Sequence, residues 1–451
     1  MNLRVLVIGA GLAGLTAAYK LAGLGVNILV LEKENYAGGR VKSDSCQGLA
    51  LDSGAQFIGG MYHRTHSLLR ETGLNRCLAP IKAAVDVIGD GSRYSLCRHT
   101  LARPYPCFDT LTWRKKLAVL KLALFLRSHR NKIDISNLAA GVELDDISFG
   151  KWAEDFLCPE LVRQYLNPVT ASLFFQPAGD ISRLVPLTLI RSPHRCKIHS
   201  LDGGLGSLPE TMAKKVPVLK NTRVLRTTAN FTNNTVSVEV SLPNGKKETL
   251  SANRVVFAIP PQELLAVLDD PQKSVGSNGL NFLRSSRFVS VSVTGLVIAA
   301  PISKGLYGYV FQPGEHGLTS VSFGRGRSYK SGSANTVTII SSGGETPVIA
   351  PPGSEQDSHS QYPETDTDLL LSAERFFPGL AQKIIERKDY NWKYAIPCFP
   401  PGRVREIVKF QETPRPSKLF AFCGDYLGGP GIEGAVVSGL TAADQIISSI
   451  S

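Results

Sequence analysis

Apolar residues open the chain as a short unbroken block. Leu3 to Ile8 holds Val, Leu and Ile without alternation, which predicts a strand buried on both faces. It runs straight into Gly9-Ala10-Gly11-Leu12-Ala13-Gly14. Leu15 to Leu24 then places apolar and small residues on most faces and reads as a buried helix. Val26 to Leu31 is a second apolar block, a second buried strand, and it ends at Glu32. The order strand, glycine turn, helix, strand makes a complete βαβ unit.

Later segments carry other periods. Thr227 to Ser241 alternates Thr and Val with polar residues and reads as strand and hairpin. Pro243-Asn244-Gly245 is a turn signal. Phe288 to Ile298 alternates Val with Ser or Thr, as a half-buried strand does. Ser341 to Asp366 is rich in Ser, Gly, Pro and acids and reads as a long surface loop. Between Trp113 and Lys132, the run Leu117 to Leu126 is apolar apart from Lys121 and has basic flanks. It is too short to span a bilayer. It reads as a buried helix, or as an interface helix whose flanks suit anionic headgroups.

Composition narrows the class. With 43% hydrophobic and 20% charged residues, a disordered or collagen-like chain is excluded. A chain of 451 residues exceeds what one core usually supports, so two lobes are expected. The net charge of +12 is diffuse, and clusters such as Arg114-Lys115-Lys116 and Arg127 to Lys132 have no DNA-binding motif beside them. No nucleic-acid partner is expected; an anionic substrate or an acidic membrane face remains open. No run of apolar residues is long enough for a transmembrane helix, and the first residues lack the basic leader of a signal peptide. Cysteines 46, 77, 97, 107, 158, 196, 398 and 423 form no CxxC pair, so neither a metal site nor a disulfide framework is expected. Reduced thiols fit a cytoplasmic protein, with peripheral membrane contact possible.

The glycine turn carries candidate chemistry. Gly9 allows a tight turn out of the strand, Gly11 lets backbone approach a pyrophosphate, and Gly14 lets helix and strand pack closely. The helix start offers free N–H groups and partial positive charge to phosphates. Glu32 stands where a carboxylate accepts hydrogen bonds from a ribose diol, and it would repel the 2′-phosphate of NADP. Ala13 and Lys33 belong to the same expected site. Gly38-Gly39-Arg40 adds backbone and a guanidinium for the pyrophosphate. Leu51-Asp52-Ser53-Gly54-Ala55-Gln56-Phe57 follows. Far along the chain, Phe422-Cys423-Gly424-Asp425 reads as strand and acidic turn. Gly431-Ile432-Glu433-Gly434-Ala435 then starts a helix of small residues whose end can point at an electron-rich ring edge.

These blocks, with Leu201 to Pro209, Asn221 to Val224, Val255 to Pro261 and Trp392 to Pro397, closely resemble the flavin-containing amine oxidase superfamily over nearly the whole chain. That group includes amine oxidases, protoporphyrinogen oxidases and carotenoid-type desaturases. The resemblance implies an α/β fold of two lobes. A Rossmann-like FAD-binding domain would take 1–78, 200–268 and 386–451, and an inserted α+β substrate domain would take 79–199 and 269–385. It implies that Glu32 holds the adenosine ribose and Arg40 the pyrophosphate, while Ala55, Gln56 and Phe57 lie along the flavin. Val224 would bond the adenine through its backbone, and Gly424 and Asp425 would face the ribityl phosphate. Ile432, Glu433 and Ala435 would approach the pyrimidine edge, with Gly431 carrying no side chain to block the ring and the small Gly434 and Ala435 letting the helix end come close.

Amine oxidases of this group usually carry a lysine near the flavin N5, yet Arg287 to Val293 has none. They also place an aromatic residue where this chain has Gly431, and glycine supplies no cation–π contact. The resemblance is therefore closest to the protoporphyrinogen oxidase and desaturase branch. It implies hydride removal from a C–C or C–N bond of a large apolar or cyclic substrate, porphyrinogen-like or isoprenoid-like. The alternatives are an amine oxidase and a flavin-binding protein without turnover. Trp392 and Tyr394 are the candidates to line the substrate face. Cys398 sits close to where some relatives link flavin, but in a different context, so the FAD is expected to be non-covalent. Oxygen or a quinone could accept the electrons.

Overall fold

The computed structural model describes residues 4–81, 84–89, 91–95, 113–191, 197–299, 306–325, 335–345, 368–414 and 416–449. Its opening unit is β1 (Arg4–Ile8), α1 (Leu12–Gly23) and β2 (Asn27–Leu31). The two strands pair in parallel, Val5 with Ile28 and Val7 with Val30. Two more parallel strands follow β1 on its other side, Arg254–Phe257 and then Phe420–Phe422. Val218–Leu219 closes the far edge beside β2. The five-stranded sheet thus gathers pieces from widely separated stretches of the chain.

Alternation along β1 sets the layers. Val5 and Val7 pack with α1 and with the long helix Ile432–Ser448. Leu6 and Ile8 face the opposite way, toward Val236, Val238 and Val240. Those valines belong to an antiparallel sheet of Arg223–Asn230, Thr235–Ser241 and Lys247–Ala252. The parallel sheet is therefore covered by helices on one face and by a small sheet on the other, so its strands need apolar residues on both sides.

A seven-stranded mixed sheet forms the second half. Its order is Ile384–Pro397, Phe288–Ile298, Asn335–Glu345, Ser320–Arg325, Gly308–Phe311, Val85–Gly89 and Ser92–Ser95. The helices Phe149–Phe156, Asn167–Phe174 and Leu184–Ile190 contribute to the largest apolar core. This is the α/β arrangement expected, a Rossmann-like sheet with an inserted α+β part.

Several local expectations are corrected. Ile384–Pro397 is an edge strand of the seven-stranded sheet, although the sequence blocks place most of it in the cofactor half. Phe288–Ile298 is almost fully buried rather than half-buried, because it lies between two partner strands and its Leu296 and Ile298 pack with Leu369 and Ala373 of the helix Leu369–Glu374. Its Ser and Thr positions fit burial because the ladder uses backbone groups, and Thr294 Oγ1 donates to Asp389 at 2.6 Å. Ser341 to Glu345 ends a strand, while the rest of that expected loop, 346–366, lies outside the described residues. The Trp113–Ser128 helix is not buried on all sides: Leu117, Leu120 and Leu124 are exposed. Among the described residues no helix is long and apolar enough to cross a membrane.

Candidate functional site

The fingerprint glycines differ in what surrounds them. Gly9 has φ +103°, a conformation that side chains disfavour, and its N–H donates to Leu31 O at 2.8 Å. At Gly14 a Cβ would lie 2.1 Å from Gly9 O and 2.8 Å from the Ala258 Cβ. That position is closed to any side chain because α1 presses on the turn and on the Arg254–Phe257 strand end. At Gly11 a Cβ would meet nothing within 4 Å. Gly11 begins α1, and no side chain caps that helix start. That helix start therefore has no side chain standing over it.

Glu32 lies beside this turn and is buried. Its carboxylate accepts from Ala10 N at 2.7 Å and Glu34 N at 2.9 Å. Burial pushes its pKa up, and the two backbone donors pull it back. Thr222 N–H donates to the Glu32 carbonyl at 2.8 Å, which brings the half-buried Val224 strand alongside. Lys33 turns outward, and its ammonium pairs with Glu263 at 2.7 Å. Ala13 is buried where α1 crosses the Ile432–Ser448 helix: a Cβ on Gly439 would lie 2.4 Å from Ala13 O.

Gly38 bridges to Gly11, and Gly39 would bring a Cβ to 3.2 Å from Gly11 Cα. This approach delivers Arg40 to the same place. The Arg40 guanidinium binds Asp425 through both oxygens, at 2.7 and 2.9 Å, and donates to Ala395 O at 2.7 Å. Phe288 lies 5.9 Å beneath it, ring centre to guanidinium carbon. Two residues expected to meet different parts of one ligand thus meet each other. Gly424 N–H donates to Ser438 Oγ at 2.9 Å, tying the Asp425 turn to the long helix.

The segment expected along the ring is held by its own backbone. Ala55 N donates to Arg40 O at 3.0 Å, and Gln56 Nε2 donates to Asp52 O and Gly54 O at 2.9 and 3.0 Å. Gln56 is therefore engaged locally, and Phe57 is half-buried beside it. Asp52 accepts from Leu205 N at 2.9 Å and from Ser43 Oγ, and burial pushes its carboxyl up to about 6.

The Ile432–Ser448 helix departs most from expectation. Ile432 is buried and Ala435 half-buried. Glu433 does not turn toward the opening. Its buried carboxylate accepts from Arg64 N at 2.8 Å, Thr65 N at 2.9 Å, Thr65 Oγ1 at 2.6 Å and Ser136 Oγ at 2.6 Å. It caps the helix His63–Glu71, whose own start supplies no side-chain cap. An acid in the first turn of a helix reads as a dipole partner of that helix; nothing local marks it as the cap of another. Gly434 packs on the turn before the helix. A Cβ there would lie 1.7 Å from Gly429 O, so the helix touches the backbone of the preceding turn. The open position is Gly431, φ +95°, where a Cβ would meet nothing within 4 Å.

Trp392 and Tyr394 part company. Between Val289 and Val291 the partner strand jumps from Ile396 to Trp392, so Ser290 faces three residues instead of one. Tyr394 is turned to Phe288, ring centres 5.7 Å apart. Trp392 joins Val291, Val293, Ile340, Phe175, Tyr390 and Ala395 in a separate apolar patch. Trp392 Nε1 donates to Ser53 O at 2.7 Å, just before Gly54. The patch is thus bonded to the Ala55 segment through Trp392 and to Arg40 through Ala395. Phe288, Phe175 and the bulge were not legible from strand alternation. Among the described residues no cluster of three His, Cys, Asp or Glu side chains could hold a metal.

The residues fit a dinucleotide. Two helix starts without caps, at Gly11 and Gly431, both border space that a Cβ would enter freely, and a buried acid stands at the end of β2.

The family described as flavin containing amine oxidoreductase matches residues 12–447. The mitochondrial protoporphyrinogen oxidase of Nicotiana tabacum is 56% identical over 55 residues, covering 12% of this chain and 11% of its own. The 15-cis-phytoene desaturase of Arabidopsis thaliana is 26% identical over 300 residues, covering 60% and 50%. The chain spans between about a tenth and three fifths of the length of the curated relatives it matches, from 11% to 59%. Cyclohexylamine oxidase from Brevibacterium oxydans superposes with a TM-score of 0.72 at 16% identity, covering 100% of both chains, which shows the shared fold.

Proposed function

Because the chain belongs to the family of flavin containing amine oxidoreductases, we propose that it is an FAD-dependent oxidoreductase that removes hydride from a C–C or C–N bond of a large apolar or cyclic substrate. The observation that carries this reading is the patch of Val291, Val293, Ile340, Phe175, Tyr390, Trp392 and Ala395. It is joined to the Ala55 segment and to Arg40, and its side chains are aliphatic or aromatic. Such a patch favours a neutral ring or polyene by burial, and the carboxylate beside it, Asp44, is already taken by the Tyr390 hydroxyl at 2.7 Å and by Lys42 at 3.2 Å.

FAD supplies the hydride acceptor at its N5. The chain's own residues bind and orient. Gly11 and the α1 start would take the pyrophosphate, and Glu32 the ribose diol. Arg40 would turn from Asp425 to share the phosphate charge, and Gly431 would leave the ring edge uncovered. Hydride transfer needs orientation more than an acid or a base. The flavin is held without a covalent link: burial pushes the Cys398 thiol up, and a thiol kept protonated is a poor nucleophile. The cofactor lobe would comprise 1–78, 200–268 and about 398–451, with the Ile384–Pro397 strand assigned to the substrate lobe. Among the described residues Cys46, Cys77, Cys158, Cys398 and Cys423 are free thiols, which supports a cytoplasmic site, and oxygen or a quinone would reoxidise the flavin.

The test is anaerobic. FAD-loaded protein is mixed with porphyrinogens, polyenes, and primary or secondary amines, and loss of flavin absorbance is followed. Bleaching by a porphyrinogen or polyene supports the reading. Bleaching by amines alone replaces it with an amine oxidase, and bleaching by no member of the panel replaces it with a flavin-binding protein without turnover.

A further inference from the structure

The Trp113–Ser128 helix is apolar on two opposite sides. At about 100° per residue, Ala118, Leu122, Phe125 and Leu126 share one side. These face inward: Ala118 and Leu126 are buried, and Leu122 and Phe125 lean on the main core. Trp113, Leu117, Leu120 and Leu124 recur at spacings of four, three and four and so form a stripe down the other side. The stripe faces water, with exposures of 71%, 48%, 55% and 60%. It supplies four of the eight large hydrophobic side chains that are exposed among the described residues.

Charge accompanies it. From Trp113 to Ile133 the sequence contains no Asp or Glu. Lys116 and Arg127 lie on one flank of the stripe and Lys121 on the other, by the same angular count, and all three are exposed. Beside the stripe runs an open groove lined by Leu124, Phe125 and Phe156, with Lys121, Arg127 and Arg130 at its rim.

We propose that this helix docks the protein on an anionic lipid bilayer, lying in the plane of the interface. Leucines at this depth enter the acyl boundary while lysine and arginine stems reach back to the phosphates. Trp113, at the helix start, suits the headgroup level. At sixteen residues the helix is too short to cross, so the contact is peripheral. Charge selects this occupant over a second copy of the chain. A symmetric pair would bring Lys116, Lys121 and Arg127 of both copies to one seam, where like charges repel. The inference does not rest on the substrate proposed above.

FAD-loaded protein is sedimented with vesicles of phosphatidylcholine alone and of phosphatidylcholine with phosphatidylglycerol. Binding to the anionic vesicles is expected, at least about tenfold tighter than to the neutral ones, and weakened as salt rises from about 0.1 to about 0.5 M. The triple variant Leu117→Gln, Leu120→Gln, Leu124→Gln should lose about a hundredfold in binding while its flavin spectrum stays that of the wild type. Lys116→Glu with Lys121→Glu should lose the preference for anionic lipid. Three results would overturn the proposal: no wild-type binding to anionic vesicles at low salt, equal binding by the leucine variant, or a wild-type dimer that the leucine variant dissociates.

Discussion

Replacing Gly434 by alanine adds one methyl group at the tightest backbone contact of the C-terminal helix. That methyl would sit 1.7 Å from Gly429 O, 2.5 Å from Gly429 C and 2.7 Å from Gly429 N. The contact is reciprocal, because a Cβ on Gly428 would lie 2.0 Å from Gly434 O. No flexible side chain can give way, so the turn and the helix must separate by about 1.5 Å to restore ordinary contact. Overpacking of this kind costs up to about 3 kcal/mol, and the better helix propensity of alanine returns about 1 kcal/mol. The net loss is about 2 kcal/mol. For a 451-residue chain the unfolding entropy is about 0.9 kcal/mol/K, so melting should fall by about 2 °C. The shift also moves Gly431 and the helix start, so FAD affinity should fall by about tenfold and the flavin potential should drop as the helix end recedes. Calorimetry of the apoprotein, an FAD titration and a redox titration read the three effects. Gly245→Ala is the control. It sits in the hairpin turn at φ +78° with open space around it, so it should cost about 1 kcal/mol and leave FAD untouched. Unchanged melting in Gly434→Ala would refute the contact. Lower melting with unchanged affinity and potential would remove the helix start from the cofactor bed.

Three further outcomes are expected. Glu433→Gln should destabilise the fold by about 2–4 kcal/mol, read as a lowered denaturant midpoint, because an amide cannot accept from all four donors; a neutral result would mean that the His63–Glu71 helix is capped in another way. Glu32→Ala should weaken FAD binding by about 1–3 kcal/mol in apoprotein titrations, and Glu32→Gln by less, since the amide oxygen still accepts one backbone N–H. Asp52 should make apoprotein stability fall as pH rises from about 4 to about 6. Its carboxyl titrates near 6 when folded against 3.8 for an ordinary aspartate, so within that window the unfolded chain has already released a proton that the native state retains. The fall is at most about 3 kcal/mol, less because the residue keeps some exposure, and a stability profile for Asp52→Asn with the same slope would exclude Asp52 as its source.

What was legible in the sequence depended on how local the cause is. β1, the glycine turn, α1 and β2 follow from aliphatic blocks and backbone freedom within thirty residues, and they appear within a few residues of where the pattern puts them. The C-terminal block was readable for the same reason. Side-chain direction was not. Glu433 looks like a first-turn acid until the distant Thr65 and Ser136 arrive as donors. Trp392 and Tyr394 share a face by strand alternation, and only the bulge opposite Ser290 separates them. The valines and serines of Phe288–Ile298 allow a half-exposed strand; two neighbouring strands make it a central one. The Leu117–Leu126 run fits a buried or an exposed helix equally, because burial is set by what packs on it.

The bond between Arg40 and Asp425 joins residues 385 positions apart. During synthesis the ribosome releases the fingerprint first and the Asp425 turn much later. At about 5–20 residues per second, that gap lasts roughly 20–80 s. Throughout it the central strand β1 has no Phe420–Phe422 strand two places away, and α1 has no Ile432–Ser448 helix to lie on. A nascent chain therefore carries the glycine turn before it has the Asp425 turn and the long helix that pack around it. On the proposed reading flavin capture would come after translation has passed the last strand, and a chain cut before residue 420 would leave the ribosome with an exposed apolar sheet edge and without the C-terminal helix.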